Sequence, residues 1–124
     1  MVASQDHGLA GIILKQNPRQ PFTRRVIAAI KSVPRGRVAT YSDIALYAGS
    51  PRAARQVAWI LHAMSGKEKL PWHRIINSWG KISLPKAAGY EEQKELLIAE
   101  GIVFNQEDMI DLKQYSWMPK IKKS

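Results

Sequence analysis

Apolar residues recur every four positions through Phe22, Val26 and Ile30, while Arg24, Arg25 and Lys31 fall elsewhere, so the spacing predicts an amphipathic helix over Phe22–Val33. Pro34 stops it, and Pro34-Arg35-Gly36 reads as a turn. Within Arg37–Asp43, Thr40 or Ser42 suits the cap of a second helix that runs to about Ala48 and ends at Gly49. Ser50 and Pro51 then offer a cap and a first-turn proline to a third helix reaching about Met64. Ala54, Val57, Ala58, Leu61 and Met64 form its apolar stripe and leave Arg52, Arg55, Gln56, Trp59 and His62 mostly on the other faces. Two short helices across a tight Gly-Ser-Pro turn read as a helix-turn-helix. A three-helix core with solvated arginines fits the same pattern.

The next stretch is polar, Ser65 to Lys69, and reads as a flexible connector. Leu70–Ile82 reads as extended, because Pro71 biases Leu70 toward the β region, Ile75 and Ile76 favour strand, and Gly80 permits a turn. Trp72, His73 and Arg74 interrupt that pattern. An aromatic face, an imidazole and a cationic fork directly before a buried apolar pair have the composition of a recognition pocket rather than of a plain strand. Ile82–Ala88, with Pro85 and Lys86, is a loop. A last helix spans Gly89–Glu100, with Tyr90, the Lys94 stem, Leu97 and Gly101 along one side and Leu96 widening it; Glu91 and Glu92 suit its start and Gly101 its end.

The pattern divides the chain into an N-terminal arm (1–21), a domain (22–103) and a C-terminal extension (104–124). The arm carries a short apolar patch and a solvated His7. In the extension Met109, Ile110, Leu112, Tyr115, Trp117 and Met118 are free to dock ahead of a basic end, Lys120, Lys122 and Lys123, whose last residues are expected to be disordered. The fold class is α+β, a small winged-helix-like domain with a helix-turn-helix and a short β-hairpin.

Composition narrows the function. A chain of 124 residues has room for one modest core, and 45% hydrophobic with 23% charged residues is ordinary for a globular protein. No apolar run approaches a membrane span and the start lacks a basic-then-apolar leader, so a soluble, cytoplasmic protein is expected. Nineteen Lys and Arg against ten Asp and Glu give +9, which favours a polyanionic partner such as nucleic acid, although a basic ribosomal or merely soluble protein has the same balance. There is no cysteine, hence no disulfide, thiolate metal site or thiol nucleophile. Three dispersed histidines argue against a metal centre, and neither metal nor cofactor is expected.

The run Pro71-Trp72-His73-Arg74-Ile75-Ile76-Asn77-Ser78-Trp79-Gly80 resembles the Pro-Cys-His-Arg-Val active-site motif of the O6-alkylguanine-DNA alkyltransferases, with Trp72 where that family has its nucleophilic cysteine. A tryptophan there marks the alkyltransferase-like proteins, which bind alkylated guanine without repairing it. Pro51-Arg52-Ala53-Ala54-Arg55-Gln56-Val57 is similar to the family's recognition helix, and Leu97-Ile98-Ala99-Glu100-Gly101 to its Leu-Leu-x-x-Glu-Gly; the likeness covers roughly Phe22 to Val103. Between them, Ser65–Lys69 lacks the Asn-Pro that the alkyltransferases often carry.

The resemblance implies a recognition helix in the minor groove, with small residues such as Ala54 allowing close approach. By the same resemblance Arg55 would take the place of the extruded base, and Tyr41 would help rotate the phosphate of the flipped nucleotide. Arg37, Ser42 and Arg52 join the DNA-contacting set. The lesion pocket would comprise Trp72, Tyr41, His73, Arg74, Ser78, Gly80 and Glu100, bounded by the Ser78–Lys86 loop, with Ile82–Ala88 lying over the flipped base and Glu100 orienting His73. Alkyl transfer needs a soft, low-pKa nucleophile; indole is none, so Trp72 can only wall the pocket. The implied activity is non-catalytic recognition of O6-alkylguanine in duplex DNA by a monomer that flags the lesion for nucleotide excision repair. A sequence-specific winged-helix regulator would use the same basic surface for major-groove readout. A hydrolase would need clustered ligands or an activated serine, and none is evident.

Overall fold

The computed structural model describes the backbone of residues 13–14, 21–118 and 120–121, with side chains from 21 to 118. The expectations for the N-terminal arm, His7 and the terminal lysines lie largely outside these residues. Strand β1 (Ile13–Leu14) pairs in parallel with β4 (Lys120–Ile121).

Helix α1 (Phe22–Ser32) buries Val26, Ile27, Ala29 and Ile30, the face its spacing predicts, and stops before Pro34. Strand β2 (Ala39–Thr40) leads directly into α2 (Tyr41–Tyr47). Thr40 and Asp43 close a reciprocal capping box: the Asp43 amide donates to Thr40 Oγ1 at 3.0 Å and the Thr40 amide to Asp43 Oδ2 at 3.1 Å. At the other end Arg25 Nε donates to the Ala48 carbonyl at 2.7 Å, and Gly49 takes the positive φ of +93° that ends the helix.

Helix α3 (Ala54–Glu68) differs from expectation at both ends. Ser50 to Ala53 form a turn, with the Ala53 amide on the Ser50 carbonyl at 3.0 Å, so Pro51 and Arg52 precede the helix rather than begin it. The supposed flexible connector is its last turn. Arg24 and Lys31 of α1 both bond Glu68, at 3.1 and 3.2 Å, and Lys69 closes the helix in the left-handed region. The apolar stripe is also narrower than its sequence: Val57 and Leu61 are buried, whereas Ala58 is exposed.

The expected extended run from Leu70 instead makes a single 3-10 turn at Trp72–Arg74, closed by the Arg74 amide on the Pro71 carbonyl at 3.0 Å. It straightens only into β3 (Ile75–Ile76), which pairs with β2 in parallel, Ala39 opposite Ile75 and Thr40 opposite Ile76. This corrects the hairpin: the described strands of the domain join segments far apart in the chain, and antiparallel pairing is confined to the isolated bridge between Phe104 and Ile110. A second 3-10 turn at Lys86–Ala88 precedes α4 (Tyr90–Ala99), whose buried residues are Leu97 and, against the predicted pattern, Gln93; Leu96 is 37% exposed.

The C-terminal segment is part of the same body. Helix α5 (Leu112–Tyr115) hands the chain to Ser116, which bridges Val38, and Trp117 is buried edge-on against Tyr47 with ring centroids 5.4 Å apart. One apolar cluster joins α1, α2, α3, Ile75 and Trp117; a second joins Val38, Ile76, Leu97, Ile102 and Ile110 across the small sheet. Burial of these branched side chains, at about 1.5–3 kcal/mol each, fixes where the polar loop between β3 and α4 must lie. Among the described residues no helix is long and apolar enough to cross a membrane.

Candidate lesion pocket and DNA-contacting surface

The 3-10 turn at Trp72–Arg74 projects its three side chains in different directions. His73 and Arg74 point toward the C-terminal end of α4, where Glu100 is the cap residue. His73 Nε2 lies 2.7 Å from Glu100 Oε2; Arg74 donates through Nη2 to the same oxygen at 2.8 Å and through Nε to both oxygens at 3.1 Å. The Gly36 amide donates to Glu100 Oε1 at 2.9 Å, and Arg74 Nη1 to the Val33 carbonyl at 2.9 Å. Only 4% of the Glu100 side chain is exposed. Burial alone would raise its pKa, but the Arg74 fork, the Gly36 amide and His73 outweigh that and hold the carboxyl at about 2. Glu100 is thus a fixed anion tying the α1–β2 turn, the 3-10 turn and α4 into one unit.

Trp72 goes the other way. With Tyr41 it walls a cavity of about 400 Å³ completed by Ala58, Leu61, His62 and Ser65 of α3, Ile75, Leu84, Ala88 and Gln93, a size within the range of ligand pockets. Gln93 is the residue that sequence reasoning missed. Only 3% exposed, it donates through Nε2 to the His73 carbonyl at 3.0 Å and the Ile75 carbonyl at 3.1 Å, fastening the strip that carries Trp72 to α4. A glutamine at a buried helical position has no signature in the hydrophobic pattern. The α3 wall went unnoticed for a related reason, since Ala58 and His62 become cavity residues only when the 3-10 turn and the 82–88 loop close over them.

The loop is latched: Tyr41 Oη and Ser83 Oγ are 3.2 Å apart. Ser78 and Gly80, assigned to the pocket from the motif, lie away from it. Ser78 is exposed in the turn that Asn77 organises by accepting from the amides of Trp79 and Lys81. Gly80 is buried at φ +80°, where a Cβ would stand 2.5 Å from the Ile110 carbonyl oxygen, so it serves the close approach of two backbones.

Of the expected DNA-contacting residues, Arg52 and Arg55 are exposed and share a surface hollow with Gly49, Ser50, Pro51, Ala53 and Gln56, while Ala54 sits half-buried at the start of α3. Neither arginine makes a hydrogen bond or ion pair with the described residues. Ser42 is exposed in the first turn of α2. Arg37 is exposed as well, but its Nη1 donates to the Gln114 carbonyl at 2.6 Å, so it ties down the C-terminal segment. Among the described residues no group of three or more His, Asp or Glu is close enough to hold a metal ion.

The sequence pattern of the 6-O-methylguanine DNA methyltransferase DNA-binding domain matches residues 21–102. The chain is 41% identical over 103 residues to a DNA base-flipping protein of Escherichia coli, covering 83% of this chain and 79% of that one, and 44% identical to a DNA base-flipping protein of Vibrio parahaemolyticus, covering 79% and 97%. Its fold is similar to that of Atl1 of Schizosaccharomyces pombe in complex with damaged DNA containing O6-carboxymethylguanine, with a TM-score of 0.71, 38% identity, and 79% and 95% of the two chains covered. Likeness to such proteins over 79–97% of their length, with a tryptophan in the Pro-x-His-Arg motif and no cysteine anywhere in the chain, shows that this protein belongs to the alkyltransferase-like family, the class without the alkyl-accepting thiol.

Proposed function

We propose that this protein recognises O6-alkylguanine in duplex DNA by turning the damaged nucleotide out of the helix into the cavity between Tyr41 and Trp72, and holds it there without chemistry. The observation that carries the reading is the conjunction of that cavity with an exposed Arg55, unpaired among the described residues, on the helix that forms one of its walls. Arg55 would fill the vacated stack, where a planar guanidinium can stack on neighbouring bases and hydrogen-bond the orphaned partner, offsetting about a few kcal/mol of unstacking. The indole of Trp72 supplies a broad apolar face for the base and its alkyl group. The Tyr41–Ser83 contact would open or shift to admit the nucleotide. Because no thiol accepts the alkyl group, lesion and protein leave the encounter unchanged, and the product is a persistent, distorted complex.

In this reading the protein works as a monomer in the cytoplasm, nucleoid-associated if bacterial, and nucleotide excision repair proteins are the downstream partners that the distorted complex recruits. The test is a titration of one short duplex, with and without a single O6-methylguanine, at fixed salt, followed by mass analysis of the protein and digestion of the DNA. Tighter binding to the lesion with both molecules unaltered is expected. Equal affinities would overturn the reading and bring a sequence-reading winged-helix regulator forward.

A further inference from the structure

Helix α3 exposes a second large side chain that the pocket does not use. Trp59 is 69% exposed, whereas tryptophan is highly buried on average in folded proteins. Its position on the helix is not arbitrary. At 3.6 residues per turn Arg55, Trp59 and His62 follow one another at i, i+4 and i+7, and all three are exposed, so they form one ridge along the outer side of α3. His62 also lines the cavity, so the ridge meets the cavity at its C-terminal end. Neither Arg55 nor His62 bonds another described side chain. A helical side chain leans toward the N-terminus of its helix, which carries the indole toward the turn that bears Arg55.

We propose that Trp59 is a second wedge on the DNA, acting on the base pairs that flank the one Arg55 occupies. The proposal rests on the reading of Arg55 and the cavity given above. Four residues of helix span about 6 Å, close to two base steps of about 3.4 Å each, so an indole one turn beyond Arg55 meets the neighbouring pairs rather than the vacated one. Apolar side chains inserted from the minor groove partly unstack such steps and kink the duplex, and indole stacks on any base without regard to sequence. Trp59 would thereby hold the duplex bent beside the lesion while Trp72 holds the base itself, dividing distortion and recognition between two tryptophans. A second copy of the chain is the competing occupant of an exposed indole, and the experiment separates the two.

Trp59→Ala and Trp59→Phe are compared with wild type on an O6-methylguanine duplex and its unmodified counterpart. 2-Aminopurine placed two positions from the lesion reports unstacking there, and sedimentation of the free proteins reports self-association. Expected for Trp59→Ala are about tenfold weaker binding to both duplexes, a nearly unchanged ratio between them and loss of the flanking fluorescence increase, with Trp59→Phe retaining most of both. Affinity within about twofold of wild type, or a change confined to self-association, would overturn the proposal. A wild-type protein that fails to prefer the lesion would sink the pocket reading instead, and the plain duplex would still measure the Trp59 contact.

Discussion

Glu100 Oε2 receives hydrogen bonds from two consecutive residues, lying 2.7 Å from His73 Nε2 and 2.8 Å from Arg74 Nη2. Glu100 itself is kept from moving by the Gly36 amide on its other oxygen. The pair braces the turn behind Trp72. The imidazole ring meets the indole edge-on with centroids 6.1 Å apart. The brace fixes the 3-10 turn, and the turn aims Trp72 into the cavity.

Replacing Glu100 by Gln should therefore act on stability first and on lesion binding through it. The amide keeps the shape but removes the charge that compensates Arg74, a guanidinium with 17% of its side chain exposed. Breaking one side of a largely buried ion pair costs about 3–5 kcal/mol, so a loss near the lower end is expected for this isosteric change, read from the urea midpoint. An unchanged midpoint would mean that water compensates Arg74 as well as Glu100 does.

The same carboxylate predicts an acid limit. Its folded pKa of about 2 lies below the ordinary 4.5, so the unfolded chain binds the extra proton. The stability this contributes is full above about pH 4.5 and is lost as the pH falls toward 2. Urea unfolding followed from near-neutral pH to about pH 2 should show a decline in wild type that Glu100→Gln lacks over that window. Parallel profiles for the two proteins would place the acid sensitivity on other carboxylates.

Gln93→Leu tests the floor of the cavity. Leucine fits a buried helical position by volume and hydrophobicity, yet it leaves the His73 and Ile75 carbonyls without the donor they share. An unsatisfied buried carbonyl costs about 1–3 kcal/mol, and the apolar gain of leucine offsets part of it, so a net loss of about 2 kcal/mol is expected in thermal or urea unfolding. Faster hydrogen exchange at Trp72–Ile76 should accompany it. A variant as stable and as protected as wild type would show that α4 holds the strip by packing alone.

These residues also mark how far the sequence could be read. Helix α1, a cap at Thr40 or Ser42 and the end of α4 are legible because each depends on neighbours within a turn or two, although it takes the reciprocal bond with Asp43 to select Thr40. His73 and Glu100 pair as the family resemblance implies, but together with Arg74 they stand behind Trp72 and do not line the cavity, because the carboxylate draws both side chains toward the end of α4. What escaped was non-local. The end of α3 is set by Glu68 answering Arg24 and Lys31, the sheet by parallel pairing between segments 36 positions apart, and the C-terminal boundary by Trp117 burying itself against Tyr47. Ser78 and Gly80 carry the motif's spacing but serve the turn and the contact with Ile110, a distinction that depends on the backbone opposite Gly80.

Arg55 and Trp72 should separate two components of binding. Arg55→Ala removes an exposed guanidinium with no partner among the described residues, so folding should be untouched while affinity falls for plain and damaged duplex alike and the salt dependence of binding flattens by about one charge. Trp72→Ala removes the wall of the cavity instead. Plain duplex, which has no reason to leave its stack, should bind nearly as before, and the advantage of O6-methylguanine should shrink by about tenfold, the worth of one aromatic contact. Trp72 also packs against the main core, so the comparison is made at a temperature where both variants give the wild-type circular dichroism signal. Equal losses on both duplexes for Trp72→Ala would remove it from the lesion pocket and leave a basic helix-turn-helix whose preference for damage has another source.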